Sequence, residues 1–152
     1  MLLLYTNADT LTNKMRELQL LVNERNADII MITEVSPKYT KETLCKQQFS
    51  LDGYELYTNI EEEEVARGVA VYIANHLATR ANAVMIGTGF KESIWVQLNI
   101  SDSTKLTLGC IYRSPTSSPI NDDKLNKLLA ESNNIGPSQV IIMGDFNHPD
   151  IN

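Results

Sequence analysis

Residues 2–33 read LLLYTNADTLTNKMRELQLLVNERNADIIMIT. The two ends of this stretch are short apolar runs, LLLYT at 2–6 and DIIMIT at 28–33, both of strand length. Between them Leu11, Met15, Leu18 and Val22 recur at helical spacing. That spacing predicts an amphipathic helix over 11–24, with Asp9 or Thr10 placed to cap it. A strand, a crossover helix and a second strand predict a parallel pair.

Working outward, the chain becomes richer in strands. Val35 to Phe49 is polar and irregular, with Pro37 as a breaker and a short helix predicted near 41–47. Strands are predicted at Tyr54–Thr58, at Gly68–Ala74 (GVAVYIA), more weakly at Val84–Ile86, at Ser93–Ile100 and at Lys105–Tyr112. Ser101-Asp102-Ser103-Thr104 has the composition of a hairpin turn. A helix over 121–132 places Leu125, Leu128 and Leu129 on one face, and Gln139–Met143 reads as a last buried strand. Glu61–Glu64 reads as a solvated turn. This order suits an α/β sandwich of two sheets with helices outside. The last strand ends a few residues before Asn152, so it should lie at a sheet edge or lack a later partner.

The 152 residues suit a single domain, and 43% hydrophobic residues supply an ordinary core. A net charge of -6 argues against holding nucleic acid by bulk electrostatics, which needs Lys and Arg to neutralise phosphates. Any contact with DNA must therefore be local. Cys45 and Cys110 match no zinc or redox spacing, and Cys110 should be buried and reduced, which favours an intracellular setting. The apolar start lacks a basic leader, and no run approaches the roughly 20 apolar residues a transmembrane helix needs.

Polar residues recur where the apolar strands end: Asn7 and Asp9 after the first, Glu34 after the second, Tyr112 and Arg113 after 105–112, Asp145 and Asn147 after the last. Ligands of α/β sheets bind outside the carboxyl ends of strands. If these ends converge, the oxygen donors suit Mg²⁺ or Mn²⁺, and Tyr and Arg beside them suit a phosphate oxygen. The implied chemistry is metal-assisted attack of water on a phosphodiester. Singly, each residue has a plainer reading. Asp9 and Asn7 are also helix-capping types, Tyr112 a core aromatic, and Arg113 a partner for a surface acid.

The pieces YTNAD (5–9), ITEV (32–35), RGVAVYI (67–73), ESIWVQL (92–98), GCIYRSP (109–115) and IIMGDFNHPDIN (141–152) stand in the order found in one family. Over its whole length the chain resembles the endonuclease/exonuclease/phosphatase superfamily. It is most similar to the endonuclease domain that non-LTR retrotransposons encode ahead of their reverse transcriptase. The resemblance implies a four-layer α/β sandwich of the deoxyribonuclease type. It implies that Glu34 is the acidic metal ligand, that Asn7 assists at metal and phosphate, and that Asp9 matches an acid of the apurinic/apyrimidinic endonuclease branch. Tyr112 then contacts phosphate, Asp145 orients or deprotonates the attacking water, and Asn147 binds the scissile phosphate. Arg113 takes a backbone or phosphate role. Glu92 opens its strand as an acid does in relatives, and it reads as structural or outer-shell.

The resemblance also implies a late Ser-Asp-His segment, for which these residues hold no counterpart. His76 reads as surface structure and His148 as the His-Pro that follows Asn147 in relatives. The chain is therefore expected to be one domain, 1–152, incomplete at its C-terminus. Three functions follow as expectations: a Mg²⁺-dependent nuclease that nicks DNA, a phosphatase of the same superfamily, or a remnant without turnover. DNA is the expected partner, with no membrane and no obligate protein partner. A nuclear location is implied by the resemblance alone.

Overall fold

A computed structural model of the chain describes residues 1–38, 44–86, 89–136 and 138–148. Its strands form two four-stranded sheets. The first holds β1 (Leu3–Asn7), β2 (Ile29–Thr33), β3 (Tyr54–Thr58) and β4 (Val69–Ala74), in the order β1-β2-β4-β3. The second holds β5 (Ala81–Ala83), β6 (Ser93–Asn99), β7 (Lys105–Tyr112) and β8 (Ser138–Asp145), in chain order. Helix α1 (Met15–Arg25) joins β1 to β2, the single turn α2 (Asn75–Ala78) follows β4, and α3 (Pro119–Ser132) joins β7 to β8.

Each sheet contains one parallel pair, β1 with β2 and β7 with β8, and its other pairings are antiparallel. The parallel pairs are the two places where a helix crosses over between strands, as the connection requires. Side-chain alternation then sorts the apolar residues into layers. Ile30 and Ile32 of β2 and Tyr72 of β4 face Leu18 and Val22 of α1. Ile29, Met31, Val71 and Ile73 face the other way, onto Val96, Leu98, Leu108 and Cys110 of the second sheet. Trp95 and Ile111 turn outward to Leu125 and Leu128 of α3. The result is helix, sheet, sheet, helix: the four-layer α/β sandwich expected.

Helix ends follow local chemistry. Asn26 closes α1 in the left-handed conformation (φ 51°), its N–H returning to the Val22 carbonyl. Ser118 caps α3, its hydroxyl accepting the Asn121 N–H, and Pro119 opens the first turn. Two expectations are corrected. Helix α1 begins at Met15, not at 11, and neither Asp9 nor Thr10 caps it. The N–H groups of Ala8, Thr10 and Leu11 are instead taken by the carbonyls of Thr33, Glu34 and Val35, so the chain after β1 runs on beside the chain after β2. The weak strand lies at 81–83 rather than 84–86. Val84 keeps one bond to Trp95, while Val84 and Ile86 pack against the α3 layer.

The helix expected near 41–47 falls partly outside the described residues, and Lys46–Phe49 form a 3₁₀ turn. Glu61–Glu64 are exposed, Cys110 is buried and free, and Cys45 is exposed and free. β8 lies at a sheet edge with Val140, Ile142 and Phe146 only partly covered. No helix of the described residues is long and apolar enough to cross a membrane.

Candidate functional site

The two parallel pairs end on the same side of the sandwich. In β1–β2 the last register partners are Asn7 and Thr33, so Glu34 is the first residue past the ladder. In β7–β8 the last partners are Tyr112 and Asp145. β2 packs on β7 and β8, and β1 on β8. Four strand ends from two sheets thus deliver Asn7, Glu34, Tyr112 and Asp145 to one place.

Asn7 joins them. Its amide nitrogen donates to Glu34 Oε1 at 2.9 Å and to Asp145 Oδ2 at 2.9 Å, tying a carboxylate of the first sheet to one of the second. Its own oxygen accepts the Asp9 N–H at 2.9 Å, so the side chain is held at both ends. The backbone here is unusual. Asp9, Thr10, Glu34 and Asn147 all have positive φ, at 39°, 81°, 57° and 41°. Such conformations cost about 1–3 kcal/mol each in non-glycine residues and persist where surrounding bonds over-determine them. The bonds from Thr10 and Leu11 to the Glu34 and Val35 carbonyls do so.

A residue to which no role was assigned from sequence completes this side. Arg67, 5% exposed, places Nη2 at 2.5 Å from Glu34 Oε2 and 3.0 Å from Asp9 Oδ1. Its hydrogen bond and charge hold the Asp9 carboxyl below its ordinary pKa. Asp9 is otherwise open to solvent and turned to Arg67. The sole signal was the opening arginine of RGVAVYI, ahead of an apolar run. Glu92 is structural, as expected: its carboxylate accepts the backbone N–H groups of Ala66, Arg67 and Gly68 at 2.5, 3.1 and 2.9 Å. Buried Asn59, also missed, bonds Val69 N and the Lys91 carbonyl and fastens the same loop.

On the second sheet, burial and the nearby Glu34 and Asp145 carboxylates push the Tyr112 phenol up to about 12, so it remains an O–H donor at neutral pH. Gly144 is glycine for want of room: a Cβ there would meet the Ile111 carbonyl oxygen at 1.9 Å. The Asp145 carboxylate turns back to accept the Asn147 N–H at 3.2 Å. Arg113, for which a backbone or phosphate role was expected, is bonded within the protein. Its Nε and Nη2 grip Asp122 of α3 at 2.8 and 2.9 Å, and Nη1 donates to the Ser114 and Asn147 carbonyls. Asn147 returns a bond from its amide to the Arg113 carbonyl at 2.9 Å. Arg113 therefore clamps the loop that carries Asp145 and Asn147. Asp122, paired with it, is driven down to about 2. His76 pairs with Asp28, well away from this end, and His148 is exposed.

A model of the endonuclease/exonuclease/phosphatase family matches residues 3–151. The chain belongs to the endonuclease/exonuclease/phosphatase family. No curated protein matches it by sequence. Among solved structures it is similar to the endonuclease domain of TRAS1, a telomere-specific non-LTR retrotransposon, at 20% identity and TM-score 0.65, covering 97% of this chain and 61% of that one. It is also similar to the AP endonuclease LMAP from Leishmania major, at 15% identity and TM-score 0.68, covering 93% and 53%. D. rerio TDP2 complexed with single-strand DNA product gives 14% identity and TM-score 0.63, covering 97% and 60%. The fold is shared with these proteins, and the chain spans about three-fifths of the TRAS1 domain's length.

Within this family member, the donors decide whether a divalent cation suits the site. Each oxygen of Glu34 and of Asp145 accepts one N–H, which leaves a lone pair on each. Among the described residues no three His, Cys, Asp or Glu side chains are grouped so as to ligate one ion together. That does not suit a closed protein cage. It suits a Mg²⁺-like ion, which takes one or two carboxylates and keeps several waters.

Proposed function

We propose that this chain carries the catalytic centre of a divalent-metal-dependent phosphodiesterase that nicks DNA. The observation that supports it most is the Asn7 amide bridging the Glu34 and Asp145 carboxylates across two sheets. Two carboxylates held at hydrogen-bond separation from one amide make a compact anionic centre at open strand ends. Glu34 and Asn7 would hold a Mg²⁺ or Mn²⁺ ion, which when bound offsets phosphate charge and lowers the pKa of water.

The chain's own groups divide the remaining work. Asp145, fixed by Asn7 and the Asn147 N–H, accepts a proton from the attacking water or orients it. Tyr112 donates its phenolic hydrogen to a phosphate oxygen. Asn147 reaches the scissile phosphate by exchanging its bond to the Arg113 carbonyl for one to phosphate. Asp9 acts through Arg67, and Arg113 through the loop it clamps. DNA is favoured over phosphomonoesters by the likeness to the TRAS1, LMAP and TDP2 folds.

The test is Mg²⁺-dependent nicking of supercoiled plasmid by the 152-residue chain, beside an inositol-phosphate substrate. Nicking that Glu34→Ala and Asp145→Asn both abolish supports the reading. Faster release of inorganic phosphate than nicking moves the assignment to a phosphatase. A second reading is binding without turnover. A folded chain that binds Mn²⁺ and does not nick would establish it.

A further inference from the structure

Among the described residues Arg67 stands apart from the other charged groups. It is 5% exposed, and Nη2 alone of its guanidinium nitrogens is partnered, serving both Glu34 and Asp9. Nε and Nη1 are buried and have no hydrogen-bond partner among the described residues. Buried donors in a scaffold are nearly always satisfied, and exceptions gather where function holds a group in place. The backbone gives Arg67 little freedom to leave. Glu92 fastens the N–H groups of 66–68, the Arg67 carbonyl accepts from Ser36 N at 2.7 Å, and the Gly68 carbonyl accepts from Val35 N at 3.2 Å. Gly68 itself has φ 64°, and a Cβ there would meet Ile60 Cγ2 at 2.6 Å.

Charge adds a second argument. Glu34, Asp9 and Asp145 contribute three negative charges around Asn7 and Arg67. Arg67 offsets one of them.

We infer that Arg67 is a built-in cation that holds Glu34 and Asp9 together and limits how tightly this centre takes a divalent ion. It is a positioning residue, and the inference rests on the metal-site reading above. Two effects oppose each other when Arg67 is removed. Loss of its grip frees the Glu34 side chain, which weakens metal binding by about 10- to 30-fold at most, from the rotamer freedom of one glutamate. Loss of its positive charge relieves repulsion of a doubly charged ion in a partly desolvated site, which acts the other way and is larger. Asn7 still holds Glu34 Oε1, so the first effect is also reduced.

The experiment is Mn²⁺ binding by calorimetry and by electron paramagnetic resonance. It compares the wild-type chain with Arg67→Met, Arg67→Lys and Glu34→Ala. Circular dichroism confirms the fold of each. The expected result is Mn²⁺ binding about tenfold tighter in Arg67→Met, within about threefold of wild type in Arg67→Lys, and lost in Glu34→Ala. If Arg67→Met does not fold, Arg67→Gln removes the charge while keeping a donor for Glu34, and the same tightening is expected. Structural damage alone can only weaken binding, so a gain in affinity separates the inference from a scaffold role. Equal or weaker binding in the neutral variants, with Glu34→Ala still abolishing it, overturns the inference and leaves the metal site standing. Wild-type binding that Glu34→Ala does not change, or none at all, overturns both.

Discussion

Arg67 and Arg113 are each 5% exposed and each lies beside the candidate centre, yet they are built oppositely. Arg113 meets Asp122 with two parallel bonds and spends its remaining arm on two loop carbonyls. Arg67 offers one nitrogen to two carboxylates and leaves two nitrogens without partners among the described residues. The difference separates bracing from function. A saturated arginine has its best partners already and gains nothing from a ligand. A half-satisfied one sits in a charge balance that a ligand can shift.

The largest effect should come from removing the two carboxylates that Asn7 joins, one of which Arg67 serves. Glu34→Ala and Asp145→Asn are expected to lower plasmid nicking by about 10²–10⁴ while leaving far-ultraviolet circular dichroism intact. Retained nicking in Glu34→Ala would break the Arg67 side of the comparison, because Arg67 would then be attending a carboxylate without a task.

Next in size is a change on the Arg113 side. Gly144→Ala drives a Cβ into the Ile111 carbonyl, which β8 cannot avoid without leaving β7. Overpacking of this kind costs about 1–3 kcal/mol, and urea unfolding should show a loss at or above the upper figure. A variant as stable as wild type would mean that the edge strand moves freely, and that the Arg113 clamp does not fix it.

A smaller effect sharpens the contrast. Arg113→Met is expected to lower the thermal midpoint by several degrees and to leave Mn²⁺ affinity within about twofold, whereas Arg67→Met shifts affinity. Equal affinity shifts in both would dissolve the distinction. The smallest effect is in pH. Pairing with Arg113 depresses Asp122 from 3.8 to about 2, so the pair's contribution to stability is complete above pH 4 and is lost as pH falls from about 4 to about 2. Thermal melts of wild type and Asp122→Asn should converge across that window. A constant gap would assign the stability to something other than the ion pair.

Much of this architecture was legible in residue order. The β-branched run at 28–33, the alternation at 105–112 and the leucines of 121–132 mark elements whose period is a local property. β3 and β7 lie at the bounds read from sequence. The polar residues at strand ends were legible as well, because a parallel strand–helix–strand unit leaves its strand ends open. Where reading failed, a partner distant in sequence had intervened. Asp9 and Thr10 look like caps, but the carbonyls after β2 hold the loop they occupy, so α1 starts late.

Sequence by itself determined which segments become strands and helices, and which polar residues stand at their ends. Hydrophobic period and turn chemistry are written within a few residues of each position. Only the tertiary structure decided that Asn7 reaches Asp145, 138 positions away, and that Arg67 rather than a nearer cation neutralises Glu34. A buried carboxylate takes its partner from whatever shares its few ångströms of space, and distance along the chain carries almost no information about that.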